Sequence, residues 1–280
     1  MRIVIIGAKG MLGQELAKVF QTYKPLLWDR DEIDITDQHL VDAKIGQIRP
    51  EMVINAAAYN DVDGAENNEP LAMSINGLAV GYLANAVHAY KGILVHYSTD
   101  YVFKGDNKNG YKESDVPNPQ SVYARSKLAG EQAFQHSGVA GYVVRLSRLF
   151  GKPAIGERAK KSFVDTMLQL AKTRRSLNVV NEEASSPTYA PDLALRTKYI
   201  MENKLPNGIY HVTNSGSCTW YEFAKEIFAQ SKNNVTIVPV SGSDFPRPAA
   251  RPSHSILINT KLPPLRTWQE ALQEYLHENY

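Results

Sequence analysis

Short continuous apolar runs at residues 3–6, 26–28, 52–55, 93–98 and 142–146 alternate with stretches at 11–20, 40–48, 71–90 and 122–136 whose apolar positions recur at helical spacing. The runs do not alternate apolar with polar, as a strand with one wet face does. They read as parallel strands covered on both faces by the helices between them. Alternation of this kind predicts an α/β fold, a Rossmann-type doubly wound parallel sheet.

Beyond about residue 150 the rhythm loosens. Residues 163–173 and 191–201 read as helices, and 177–180 and 208–212 as strands. Two further helices are marked by capping boxes, Thr219 with Glu222 and Thr267 with Glu270. Between them a Pro-rich stretch, 239–264, is poor helix material and reads as an irregular segment lining a cleft. The predicted organisation is a larger domain over 1–150, to which later segments return, and a small C-terminal α/β lobe made mainly of 151–280.

Composition narrows the partners. The 280 residues carry 31 Lys and Arg against 29 Asp and Glu, a net charge of +2. That leaves no basic footprint for nucleic acid or an anionic membrane, although a local basic pocket for a small anion stays open. The single cysteine, Cys218, excludes an internal disulfide and a CxxC metal pair, and suits a reducing compartment. The run at 3–6 is too short for a signal sequence, and no apolar run approaches roughly 18 residues. The expectation is a cytoplasmic protein with neither membrane nor nucleic-acid partner.

Chemistry enters with Gly7-Ala8-Lys9-Gly10-Met11-Leu12-Gly13, directly after the first strand and at the start of a helix. One glycine permits the tight turn, the next lets backbone approach a pyrophosphate, and the third lets the helix pack on the sheet. The helix N-terminus then presents its positive end to the phosphates. About 20 residues on, Asp29 ends the second strand, as a dinucleotide site requires. Asp29 favours the ribose hydroxyls of NAD, whereas the adjacent Arg30 suits the extra phosphate of NADP, so the sequence leaves NADPH or NADH open. Asp34 and Ile35 follow, where an adenine ring is expected to lie; a turn role is the plainer account of Asp34.

Tyr123 and Lys127 stand four apart in a predicted helix, which puts both on one face. A phenol with a pKa near 10 is a poor acid–base group at neutral pH, and a neighbouring ammonium is expected to lower it. Such a phenol can protonate a carbonyl oxygen while a hydride attacks the carbon. Alone the pair is weak, since many helices carry it by chance. Its context is Tyr97-Ser98-Thr99-Asp100-Tyr101-Val102-Phe103, immediately after an apolar strand, where ligands bind in open α/β sheets. Thr99 is placed to hydrogen-bond a carbonyl beside Tyr123, although capping the strand end is the simpler role for Ser98 and Thr99.

Other chemistries fare worse. None of the seven histidines falls in an HExxH or paired-ligand spacing, so no metal site is expected. Ser98 does not sit in a G-x-S-x-G elbow, which argues against a hydrolase. Arg247 and Arg251, in the Pro-rich segment, suit a bidentate grip on a diphosphate, or form a solvated surface pair.

With these residues in view, the chain resembles the extended short-chain dehydrogenase/reductases, and most closely the dTDP-4-dehydrorhamnose reductases. The resemblance runs nearly the full length. It rests on the glycine loop, on Asp34-Ile35-Thr36-Asp37, and on Pro50 to Tyr59 with Val62-Asp63 and Ala65-Glu66. Later blocks are Ser98 to Phe103, Tyr123-Ala124-Arg125-Ser126-Lys127, Pro187-Thr188 and Ala250-Arg251-Pro252. It implies reduction of the C4 keto group of dTDP-4-dehydro-6-deoxy-L-mannose by NADPH or NADH. By the same matching Tyr123 is the general acid, Lys127 holds the nicotinamide ribose, and Thr99 is the hydroxyl partner. Ala56, Ala57, Ala58, Tyr59, Asn60 and Tyr97 line the cofactor, and Thr99, Asp100, Tyr101 and Arg251 belong with the sugar nucleotide. A homodimer is the protein partner the resemblance allows.

Two departures stand out. Arg148 occupies a place where the family has a Trp touching the sugar; an arginine can stack on a ring or pair with a phosphate. Glu182 follows Asn181 where the family pattern has Gln, and near an anionic substrate it must face solvent or a cation. The rival readings are an epimerase on the same fold, which keeps its NAD, and a non-catalytic regulatory subunit. The intact Thr99, Tyr123 and Lys127 argue against the latter.

Overall fold

The computed structural model describes residues 1–155 and 161–280. The first half alternates as its pattern predicts: β1 (Ile3–Ile6), α1 (Met11–Val19), β2 (Leu26–Trp28), α2 (Gln38–Ile48) and β3 (Met52–Asn55). There follow α3 (Val62–Asn67), α4 (Glu69–Met73), α5 (Ala79–Ala89), β4 (Ile93–Thr99), α6 (Val122–His136) and β5 (Ala140–Leu146). The second half is more broken, with β6 (Leu149–Phe150), α7 (Phe163–Ala171), β7 (Ser176–Val180), β8 (Ala184–Ser185) and β9 (Thr188–Tyr189). It closes with α8 (Ala190–Glu202), β10 (Gly208–His211), β11 (Cys218–Thr219), α9 (Trp220–Gln230), β12 (Thr236–Val240) and α10 (Trp268–Asn279).

Six parallel strands form the main sheet in the order β10-β5-β4-β3-β1-β2. The chain steps outward from β1 to β2 and returns to β3 on the other side of β1, so the strand order reverses there and opens a crevice at the carboxyl ends. Both faces are covered, which is why the strands are apolar throughout. Ile3 and Ile5 pack with Leu16, Phe20, Leu193 and Ile200 on one face, under α1 and α8. Val4 and Ile6 pack with Val41, Ile45, Leu83 and Phe134 on the other, under α2, α5 and α6.

The strand expected at 208–212 is therefore no part of a separate lobe. As β10 it pairs with β5 and completes the sheet, with α8 packed on α1. A further core of Phe150, Leu168, Phe223, Trp268 and Tyr275 organises the C-terminal elements beside the crevice, where β7 pairs with β12 and β8 with β11. Both predicted capping boxes form, at Thr219–Glu222 and Thr267–Glu270.

Two local readings need correction. The helix expected over 71–90 is interrupted by a π-helical turn, Ser74–Leu78, between α4 and α5. The composite helix Glu69–Ala89 is long and apolar enough to cross a membrane by length and composition; half of its most apolar window is buried, and it packs on α2 and α6 as a core helix. The short helix α3 was not expected; Asp61 caps it, accepting from Gly64 N at 3.0 Å.

The Pro-rich segment is irregular but well tied. His254 N donates to Gly105 O at 2.9 Å, Ala184 N to Ser253 O at 2.7 Å, and Tyr111 N to Ile256 O at 2.8 Å. Gly105 has φ +88°, and a Cβ there would lie 2.4 Å from the Pro252 Cβ. Gly105→Ala is expected to lower stability by about 1–3 kcal/mol, combining left-handed strain with that overlap. The check is a urea unfolding midpoint that falls at constant slope; an unchanged midpoint would show that the segment yields freely.

Candidate active site

The crevice at the carboxyl ends of β1, β3, β4 and β5 widens into a cleft of about 990 Å³. One wall is the glycine loop. Gly7 N and Ala8 N donate to Trp28 O at 2.8 and 3.1 Å, fastening the loop to the end of β2. A Cβ on Gly13 would stand 2.0 Å from Gly7 O, so only glycine lets α1 approach this closely. Gly10 is the N-cap of α1 and, as a glycine, brings no capping side chain, so that end suits an anionic ligand. Gly10, Met11, Leu12 and Gly13 all line the cleft.

The next wall follows β3. Ala56, Ala58, Tyr59 and Asn60 line the cleft, whereas Ala57 turns its N–H to Asn55 Oδ1 at 3.1 Å. Asn76, in the π-helical turn, holds this loop. Its Oδ1 accepts from Tyr59 N at 2.9 Å, and its Nδ2 donates to Tyr59 O and Ser126 Oγ, both at 3.0 Å. One buried amide thus ties the loop to the helix that carries Tyr123 and Lys127. Sequence reasoning missed it; the available sign was an Asn in mid-helix, where that side chain is ill suited unless it bonds elsewhere.

The centre comes from β4 and α6. Tyr97, Thr99, Asp100, Tyr101, Tyr123 and Lys127 meet here. Lys127 is 2% exposed and its Nζ donates to Tyr97 O at 2.6 Å. Burial pulls its pKa down to about 8, with Glu131 opposing. Tyr97 gives its hydroxyl contact to Thr197, at 2.9 Å. The Tyr123 phenol is pushed up to about 12, mainly by burial; its hydrogen bond with Thr99 lowers it and the Asp100 charge raises it. The sequence expectation that Lys127 lowers this pKa does not hold here, because desolvation outweighs every other influence and the ammonium is spent on the Tyr97 carbonyl. The phenol is consequently a firmly protonated group at neutral pH.

Several expected cofactor residues lie outside the cleft lining. Asp29 accepts from Lys9 N at 3.0 Å and Arg30 N at 2.9 Å, one backbone donor on each oxygen, while Arg30 itself lines the cleft. Asp34 Oδ1 accepts from Thr36 N at 2.9 Å and Thr36 Oγ1 at 2.7 Å, the turn role, and Ile35 is buried in the core. Gly7 lies behind the loop it anchors.

On the C-terminal side Arg148 is committed to structure. It holds φ +44°, donates to Cys218 O at 2.8 Å and Glu183 O at 2.6 Å, and lies 3.9 Å from the Trp220 ring centroid. Trp220, a second residue the sequence reading missed, donates its indole N–H to Glu183 at 2.9 Å and faces the cleft. Arg247 pairs with Glu183, and Arg251 with Asp63 at 2.8 Å; both line the cleft, so neither is a solvated surface residue. Glu182 faces outward and accepts from Ser241 Oγ and Gly242 N.

A doubly wound sheet, an uncapped helix end above a glycine loop, and a Tyr–Lys pair at the strand ends define a class: an oxidoreductase of the short-chain dehydrogenase type. The sequence profile of the RmlD substrate binding domain matches residues 1–280. The chain is 37% identical to a dTDP-4-dehydrorhamnose reductase of Aggregatibacter actinomycetemcomitans, covering 97% of each protein. It is 35% identical to the spore coat polysaccharide biosynthesis protein SpsK of Bacillus subtilis, covering 99% of this chain and 97% of that one. Among solved structures, the dTDP-4-dehydrorhamnose reductase of Bacillus anthracis in complex with NADP superposes with a TM-score of 0.94, at 37% identity over 99% of both chains. The chain belongs to the dTDP-4-dehydrorhamnose reductase family.

The Arg148 clamp yields a prediction. Arg148→Ala is expected to cost about 3 kcal/mol of stability, since two part-buried carbonyls lose a charged donor. Thermal unfolding reads this directly, and an unshifted transition would mean the clamp is idle.

Proposed function

We propose that the protein reduces the C4 keto group of dTDP-4-dehydro-6-deoxy-L-mannose to give dTDP-L-rhamnose. The observation that carries this is the meeting of Tyr123, Lys127 and Thr99 at the strand ends, beside an open helix N-terminus. In this reading residues 1–150, with the returning β10 and α8, hold the cofactor, and the remainder of 151–280 mainly holds the sugar nucleotide.

The residues fit a dinucleotide. Backbone from Gly10 to Gly13 would hold the pyrophosphate, since these residues line the cleft at the N-terminal end of α1. Lys127 would hold the ribose. Arg30 lines the cleft while Asp29 lies outside its lining and accepts a backbone N–H on each oxygen, which favours the 2′-phosphate of NADPH over the bare ribose of NADH. NADPH supplies the hydride when bound. Tyr123 gives its proton to the keto oxygen as negative charge develops there, so the carbonyl becomes a carbinol and the tyrosine a phenolate. The phenolate forms on the helix face it shares with the Lys127 ammonium and is reprotonated from solvent. Arg251 and Arg247 offer cationic donors toward the diphosphate.

The deciding assay is loss of the reduced-nicotinamide absorbance with the keto-sugar generated in situ. Oxidation is expected to depend on the sugar and to run faster with NADPH than NADH. Tyr123→Phe is expected to lower kcat by about 10²–10⁴-fold while NADPH affinity changes by less than about twofold. Wild-type turnover in that variant would remove Tyr123 as donor.

The pH profile gives an independent check. Both essential groups act in their protonated forms, and Tyr123 keeps its proton until about 12. Lys127 loses its charge as pH rises through about 8. The kcat/KM for NADPH, which reports the free enzyme, is therefore expected to fall above about pH 8 with a single descending limb. A profile flat to pH 10 would contradict the role given to Lys127.

A further inference from the structure

The short helix α3 carries two acidic side chains, Asp63 and Glu66, that take no part in the reduction described above. Glu66 reaches α6. Its Oε1 accepts Val122 N at 2.8 Å, and Val122 is the residue before Tyr123. The first N–H groups of a helix have no partner inside it. In α6 the N-cap Ser121 takes Ala124 N on its hydroxyl at 3.3 Å and Arg125 N on its carbonyl at 2.9 Å. Glu66 takes Val122 N from outside the helix.

Packing adds to this bond. Ala65 is fully buried and forms a small apolar cluster with Ala72 and Val122, and the side chains of Tyr59 and Tyr123 rest against it. The Tyr123 end of α6 is thus held on α3 by a hydrogen bond and by an apolar face. Tyr59, on the same cluster, belongs to the cleft wall that follows β3.

Asp63 reaches the other way. Its Oδ2 accepts from Arg251 Nη2 at 2.8 Å and its Oδ1 from Ala249 N at 3.2 Å, while Arg251 Nη1 donates to Ala249 O at 3.0 Å. These partners lie 188 and 186 positions away along the chain. A helix of six residues therefore joins the segment that brings Arg251 to the cleft and the helix that brings Tyr123. Asp61 and Val62, at the head of α3, line the cleft between them.

We propose that α3 is a brace that sets Tyr123 and Arg251 in one frame, with Glu66 as the positioning residue for Tyr123 and Asp63 as the tie to residues 249–251. Without the Glu66 bond the first turn of α6 is free to shift, and misplacing a reacting group by about 1 Å costs about 10²-fold in rate. What Val122 N requires is an acceptor within hydrogen-bond reach, so the role of Glu66 lies in its reach and not in its charge. The proposal rests on Tyr123 as proton donor.

The test uses the full chain with three substitutions at Glu66. Glu66→Ala is expected to lower kcat by about tenfold, with the keto-sugar KM and the NADPH Kd within about twofold of wild type. Glu66→Gln keeps an acceptor at the same reach and is expected to recover kcat to within about threefold of wild type. Glu66→Asp keeps the charge but is one methylene shorter, so it is expected to behave like Glu66→Ala. An active Glu66→Asp beside an impaired Glu66→Gln would mean that the charge acts, and would overturn the proposal. So would an unchanged kcat in Glu66→Ala. The second readout needs no turnover: hydrogen exchange of the peptide holding Val122 and Tyr123, in the NADPH complex. Exchange there is expected to quicken by about tenfold in the Ala and Asp variants and to stay within about threefold in the Gln variant. Asp63→Ala tests the other end. Its loss of kcat and that of Glu66→Ala are expected to combine to less than their product, since both act through α3; a full product would mean independent roles and no brace. If Glu66→Ala does not fold, judged by lost NADPH binding, the Gln and Asp variants decide by the same two measures. If Tyr123→Phe turns over like wild type, the donor reading fails on its own, and the exchange still reports whether Glu66 holds that end of α6.

Discussion

The pairing of β4 between β3 and β5 is the constraint on which the cleft depends. Seven registered residue pairs join β4 to β5, ending at Thr99 opposite Leu146, and four join β4 to β3. This pairing carries Tyr97, Thr99 and Asp100 to the carboxyl edge in fixed order. Both faces of the sheet are buried, so a slip of one residue would turn every apolar side chain the wrong way. Strand register is thus enforced by packing on two sides. The positions of the chemically active groups follow from it.

Against this rigid edge the protein sets an ammonium it has largely desolvated. Lys127 is buried under β4 and bonded to a strand carbonyl. Burial of this kind is unfavourable for the charged form, and it survives because the carbonyl and Glu131 lie close. The same desolvation raises the phenol of Tyr123. Two groups four residues apart are thereby driven in opposite directions, one toward easier loss of its proton and the other toward firmer retention. That divergence suits a site that must hold a proton until a carbonyl oxygen needs it.

The C-terminal half contributes by tying down rather than by adding rigid layers. Arg148 spans two carbonyls and stacks on Trp220, Asn214 accepts from Tyr189 N and donates to Asp192, and Arg266 grips Asp192 and Glu274. Such side-chain bonds, some to backbone and some to other side chains, hold irregular chain in place where short strands cannot. The segment around Arg251 is held at the end of β4 by its own bonds, from Ser255 Oγ to Asp100, from His254 N to Gly105 O and from Arg251 to Asp63.

Much of this was written in the chain itself. Continuous apolar strands, helical periodicity and the Gly7–Gly10–Gly13 spacing depend on neighbours in sequence, so they reveal the parallel sheet and its glycine loop. Tyr123 and Lys127 are one helical turn apart and are equally local. What the tertiary structure decided is everything set by partners far along the chain. It placed β10 beside β5, gave Asp29 two backbone donors, and fastened the cleft-lining Arg148 to two backbone carbonyls. It brought Ser255 to Asp100 across 155 positions. It also set the direction of the Tyr123 shift, because desolvation is a property of the folded surroundings and no residue spacing encodes it.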